Sequence, residues 1–113
     1  MIPESKFLEV AKGLLEKTRQ QRAHWQEDGM QEKAFVLPLQ NSHIRIAHVS
    51  PPTEADYITL TFINDERRAV GSWTVQEGDA AWGLVSELYS LIEKKFTGWD
   101  KVLEEIEAFL KSK

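Results

Sequence analysis

The segment Asp56-Tyr57-Ile58-Thr59-Leu60-Thr61-Phe62-Ile63-Asn64-Asp65-Glu66-Arg67-Arg68-Ala69-Val70-Gly71-Ser72-Trp73-Thr74-Val75-Gln76 reads as two β-strands joined by a turn. Its first half is almost wholly β-branched or aromatic, which suits a pleated, half-buried surface. Ile58, Leu60 and Phe62 alternate with Tyr57, Thr59 and Thr61, so one face looks inward and the other toward water. Asn64 to Arg67 is turn chemistry, because Asn and Asp tolerate left-handed backbone and hydrogen-bond their own main chain. The return strand puts Trp73 and Val75 on one side and Ser72 and Thr74 on the other. An antiparallel hairpin follows, and the rest of the chain must cover its apolar side.

Working outward, Pro3 to about Arg22 has helical periodicity, with Phe7, Leu8, Ala11, Leu14, Leu15 and Thr18 on one face. Pro3 suits a first turn, and Glu4 suits the positive end of the helix dipole. Gly13 inside this helix costs up to ~1 kcal/mol relative to Ala, which suggests close packing against a neighbour. His24 to Glu27 reads as a short edge strand with Trp25 inward, and Asp28-Gly29 as a turn. Lys33 to Leu39 is a strand with Phe35, Leu37 and Leu39 on one face. Pro38 lacks a ladder donor and places this strand at an edge or at a bulge. His43 to Val49 follows, alternating Ile44 and Ile46 with His43, Arg45 and Ala47.

Beyond the hairpin, Asp79 is a suitable N-cap for a helix reaching Phe96. That helix is apolar around most of its circumference, so cover on two sides is expected. Thr97-Gly98-Trp99-Asp100 has the form of a capping box that restarts the helix. Trp99, Val102, Leu103, Ile106, Phe109 and Leu110 then make an amphipathic stripe. Should that stripe not fold back on the preceding helix, it leaves an exposed apolar patch that demands a partner. The order α-β-β-β-β-β-α-α implies an α+β fold. It is a two-layer arrangement with an N-terminal helix, an antiparallel meander of four to five strands, and two C-terminal helices on one face.

At 113 residues and 42% hydrophobic, the expectation is one domain spanning residues 1–113, with a core that needs no metal or disulfide staple. The absence of cysteine excludes disulfide scaffolds and thiolate chemistry. No apolar run approaches the ~18 residues of a membrane span, and the N-terminal residues lack a secretory stretch. A cytoplasmic address is therefore expected. The formal charge of −4 works against non-specific phosphate binding.

Several short features together are similar to a group of small stand-alone bacterial proteins of unknown function. They are Lys17-Thr18-Arg19, Trp25, Tyr57 to Ile63 with Asn64-Asp65-Glu66, Leu84, Glu87-Leu88-Tyr89, and Gly98 with Val102-Leu103. The resemblance covers most of the chain and implies the same α+β layout in a bacterial or phage-like setting. It implies no activity. Such proteins carry Gly where this chain has Glu66 or Arg67, so its turn departs from the pattern.

Catalytic and cofactor motifs are lacking. His24, His43 and His48 belong to no metal-binding helix motif, and His43 and His48 fall on opposite faces of one strand. Gly71-Ser72-Trp73 lacks the second glycine of a nucleophile elbow, and its glycine reads as a bulge or a close-packing position. No glycine-rich phosphate cradle is present, and no cofactor is expected. Carboxylate pairs such as Glu54/Asp56 and Asp65/Glu66 sit in loops, as turn formers and solvated charges. Phe62 and Trp73, which could stack bases, belong to the face the helices need, so nucleic acid is disfavoured. The outer face of the sheet, with His43, Arg45, Ala47, Thr59, Thr61, Ser72 and Thr74, is the candidate surface for an unknown protein partner or for self-association. The expected role is thus a small non-enzymatic interaction module (an accessory, antitoxin or immunity-like protein) or a homodimer, with a nucleic-acid-binding protein using the sheet face as the alternative.

Overall fold

Strict alternation in the central strands decides which side of the sheet is dry, and the pairing carries it across the whole meander. In the computed structural model, which describes residues 2–29 and 33–112, the elements are α1 (Glu4–Arg19), β1 (Gln26–Glu27), β2 (Ala34–Pro38), β3 (His43–Val49), β4 (Tyr57–Ile63), β5 (Ala69–Gln76), α2 (Trp82–Thr97) and α3 (Trp99–Lys111). The side chains of residues 99 and 100 also lie outside the described set. The strands form one antiparallel sheet in the order β1-β2-β3-β4-β5. The architecture is α+β, an N-terminal helix and two C-terminal helices around a five-stranded meander.

Cross-strand register builds the inner face in rows. Phe35, Ile46, Leu60 and Trp73 stand opposite one another from β2 to β5. Leu37, Ile44, Phe62 and Gly71 form a second row, and His48, Ile58 and Val75 a third. Ile46, Ile58, Leu60 and Val75 are fully buried. Each larger side chain removed from water is worth roughly 1.5–3 kcal/mol, most of which chain entropy offsets.

Two helices cover these rows. α1 buries Phe7, Ala11, Leu14 and Leu15, and α2 buries Val85, Leu88, Tyr89 and Ile92. The Phe7 ring stacks on Phe62 at 4.8 Å and on Trp73 at 5.8 Å between centroids. Gly71 makes that approach possible, since a Cβ there would collide with the Ile2 side chain and press on Phe7. The expected bulge adjoins it: the pairing passes from Phe62 opposite Gly71 to Ile63 opposite Ala69, leaving Val70 out of register. At the other end of α1 the Thr18 hydroxyl donates to the Leu14 carbonyl (2.7 Å) and accepts from the Trp25 indole N–H (3.1 Å). That bond ties the helix end to the entrance of β1. Glu4, Ser5 and Leu8 line a cleft with Asp79 and Ala81, whereas Thr18 and Arg19 line another with Leu91 and Ile92. The two covering helices therefore run parallel, with their C-terminal ends side by side.

Local details differ from the sequence expectations for identifiable reasons. α1 stops at Arg19, three residues early, because the chain passes through left-handed backbone at Gln21 (φ 59°). β1 keeps only Gln26 and Glu27, although Trp25 is buried as expected. β2 ends at Pro38, where no neighbour strand needs its missing N–H. Leu39 instead turns out to water (51% exposed), its N–H donating to the Ser42 carbonyl. Asp79 does not cap α2; its carboxylate accepts the Gln76 N–H (2.8 Å) and its carbonyl the Trp82 N–H (3.0 Å), so the helix begins at Trp82. The Thr97 capping box does not form on the threonine side either. Gly98 adopts φ 67° and the Thr97 hydroxyl donates back to the Lys94 carbonyl, while the Asp100 side chain lies outside the described residues. In the β4–β5 turn, Asn64 Oδ1 accepts the N–H groups of Glu66 and Arg68, and Arg67 takes φ 64° where glycine is the easier fit.

Gly13 does not mark a close approach, because nothing lies within 4 Å of a Cβ placed there. Gly13→Ala should therefore stabilise the protein by roughly 0.5–1 kcal/mol through helix propensity alone, read as a higher urea midpoint. Leu88, completely buried, should behave oppositely. Leu88→Ala is expected to lower the unfolding free energy by about 2–5 kcal/mol in the same titration, and a change within error would disprove its place in the core.

Candidate functional site

Alternation that buries one face of the sheet delivers the other to solvent, and the register organises it into rows. Val36, Arg45, Thr61 and Ser72 form one row, and Ala34, Ala47, Thr59 and Thr74 the next. His43, Arg45, Thr59, Thr61, Ser72 and Thr74 all lie on this face, partly or fully exposed, as the sequence anticipated. Ala47 departs from that expectation: it is buried, with 4% of its surface exposed. Its cross-strand neighbour Ala34 is buried with it, so this end of the outer face is covered rather than open to solvent. The remaining groups largely satisfy one another. Thr59 and Thr74 hydroxyls lie 3.2 Å apart, those of Thr61 and Ser72 lie 3.4 Å apart, and Arg45 Nε donates to the Asp28 carboxylate at 2.8 Å. Such pairs each contribute roughly 0.2–1 kcal/mol to the sheet. The face is a polar ladder in which hydroxyls pair across the strands, each pair keeping one O–H donor and several lone pairs for solvent or a partner.

His48 belongs to the opposite side, as period two requires. Its ring meets Tyr89 edge-on (centroids 5.0 Å, 85°) and Trp82 at 6.2 Å, while Nε2 lies 3.1 Å from Asp56 Oδ2. A carboxylate holding an imidazole is half of a nucleophile-activating relay, but among the described residues no hydroxyl is hydrogen-bonded to His48. The Tyr89 hydroxyl donates to Glu93 (3.1 Å). Burial first, then the negative charge of Glu93 and the hydrogen bond to it, push this phenol well above the ordinary tyrosine value near 10. It stays protonated at neutral pH and cannot serve as a base. The cluster pins the β3–β4 connection to α2. Among the described residues no group of three or more His, Cys, Asp or Glu side chains could hold a metal.

Two clefts flank the helices. One, of about 600 Å³, lies between the start of α1, β5 and the turn before α2. It brings Glu4, Ser5 and Asp79 to one rim, yet the Asp79 carboxylate is engaged by the Gln76 N–H, and no bond among the described residues joins Ser5 to either acid. The other, of about 530 Å³, lies where the C-terminal ends of α1 and α2 meet, over Ala23, Trp25 and Leu91 and beneath Arg19, Lys94 and Lys95. Cations are favoured there by the negative ends of two helix dipoles. Arg19 is partly neutralised by Glu87 (2.6 Å), whereas Lys94 and Lys95 have no ion pair among the described residues.

Among the described residues α3 carries four of the six exposed large hydrophobic side chains, Leu39 and Val70 being the other two. Phe109 is 75% exposed, Leu110 72%, and Val102 and Ile106 47% each. Spaced i, i+4, i+7 and i+8, they share a face, and at 3.6 residues per turn Glu105 and Glu107 fall on its two margins. α3 meets α2 at their junction and then departs from the body. The molecule measures 60 × 36 × 26 Å, with a radius of gyration of 15.9 Å against about 13 Å for a compact chain of this length. The sequence identified this stripe but could not say whether it would be covered. Among the described residues no helix is long and apolar enough to cross a membrane.

Set beside family models, curated proteins and solved structures, the chain matches none of them. Its function is therefore argued from geometry alone.

Because Tyr89 is held neutral when folded, deprotonation above pH 10 is open mainly to the unfolded chain. Its contribution is intact below that pH and shrinks as pH rises, by at most about 1.4 kcal/mol per unit. Comparing urea stabilities at pH 9 and 11 for wild type and Tyr89→Phe isolates it. The variant should lose less stability across the interval, and equal losses would contradict the assignment.

Proposed function

We propose that the protein is a single-domain, non-enzymatic interaction module whose contact element is the apolar face of α3. The observation that carries this reading is the contiguous Val102, Ile106, Phe109 and Leu110 stripe standing open on a helix that leaves the body of the molecule. Surface of this kind, rimmed by charge, marks association sites rather than ordinary solvated helix. Catalysis is disfavoured because a nucleophile must lie within hydrogen-bond reach of its base. Here the strand hydroxyls pair with one another, and among the described residues no hydroxyl is hydrogen-bonded to the imidazole nearest a carboxylate. Nucleic-acid binding is disfavoured because Phe62 and Trp73 pack against Phe7. The outer face of the sheet, polar and without an apolar stripe of this size, takes the secondary role. A cytoplasmic site of action is part of this reading, supported by the cysteine-free composition.

Phe109→Asp tests the proposal without threatening the core, since three-quarters of that side chain is already in water. Association, with itself or with a protein captured from native lysate, should weaken at least ten-fold, the equivalent of losing one buried aromatic. Thermal unfolding should barely move. Association that is identical in wild type and variant would overturn the assignment of α3.

A further inference from the structure

The body of the molecule carries a groove complementary to its own α3, and the chain cannot bring the two together. α3 is a helix of 13 residues, about 20 Å long, with an apolar face margined by Glu105 and Glu107. The groove between the ends of α1 and α2 has the opposite character: Leu91 in its floor and Lys94 and Lys95 on its rim, neither lysine neutralised by an ion pair among the described residues. An acidic amphipathic helix is the occupant that such a basic-rimmed apolar groove fits.

Gly98 alone separates the end of α2 at Thr97 from the start of α3 at Trp99. Antiparallel helix hairpins need connections of about 2–5 residues, so a one-residue joint is too short for α3 to return along the face of its own α2. A short joint that forbids closure within one chain while the two surfaces match is the situation that favours exchange between chains. Gly98 sits at φ 67° with nothing within 4 Å of a Cβ placed on it, so this joint is open on the outside.

We propose that two copies of this chain exchange their α3 helices, each placing Ile106, Phe109 and Leu110 in the groove between the ends of α1 and α2 of the other. Glu105 and Glu107 then meet the other copy's Lys94 and Lys95. The partner is thus a second copy of the same chain, and this inference rests on α3 being the contact element. Reciprocal seating matters because one stripe offers only a few hundred square ångströms, while stable interfaces bury about 1,200 Å² or more in total. Two exchanged helices in two grooves bring the buried surface toward that range.

Charge reversal on the full chain tests it, with mass measured by light scattering after size exclusion at tens of micromolar protein. Wild type should run as a dimer. Lys94→Glu with Lys95→Glu sets acid against acid, and Glu105→Lys with Glu107→Lys sets base against base, so each double variant alone should dissociate at least ten-fold more readily. Mixed in equal amounts, the two double variants are complementary in both grooves and should restore a dimer. A wild-type dimer that charge reversals leave unchanged would overturn the exchange in favour of α3 packing against α3. A monomeric wild type overturns it as well. If that monomer captures another protein in a Phe109-dependent way, α3 stands as the contact element and only self-association falls; if it captures none, both readings fall together.

Discussion

Everything else in this fold hangs on the dry contact between the row Phe35, Ile46, Leu60 and Trp73 and the two helices laid over it. Phe7 stacks there on Phe62 and Trp73, and Gly71, having no side chain, leaves room for Phe7 and the Ile2 tip. Fixing that approach sets the position of α1 over β4 and β5. The Thr18–Trp25 hydrogen bond sets its other end over β1. With α1 anchored at both ends, α2 fills the remaining width with Val85, Leu88, Tyr89 and Ile92, and the helices come to lie parallel. A one-residue slip in any central strand would turn the whole inner row toward water, so register and core are a single constraint.

The same constraint settles the character of the outer face. Residues alternate strictly, so the small and hydroxylic side chains of β3, β4 and β5 are collected there and placed opposite one another. Thr59 finds Thr74, Thr61 finds Ser72, and Arg45 reaches Asp28. These cross-strand pairs stiffen the sheet on the face that the sequence offered for contacts.

Association potential instead collects at the far end of the helices. Two helix C-termini side by side attract cations, and α3 leaves from that point carrying apolar side chains and acids. The short Gly98 joint keeps these complementary surfaces apart within one chain. Hydrophobic surface that the fold cannot bury by itself has a driving force for burial elsewhere, and the charges beside it choose the orientation.

Most of the architecture was legible in the residues. Period-two alternation from Tyr57 to Ile63 and the 3.6-residue stripes of α1 and α2 are local patterns with one dry face each, and they determined the element order, the α+β class and the core. They also placed His43 and His48 on opposite sides, and left Gly71 as either a bulge or a close-packing position. Helix ends were less legible, because Asp79 and Thr97 suit caps and turns alike, and which they form depends on neighbours such as the Gln76 N–H and the Lys94 carbonyl. Ala47 and Gly13 were misjudged for a related reason: exposure depends on what stands alongside in space, not on the residue itself. The exposed face of α3 and the groove at the helix ends were decided by tertiary structure alone. Amphipathic spacing states that a helix has an apolar side; only the path of the chain through Gly98 states whether anything is there to meet it.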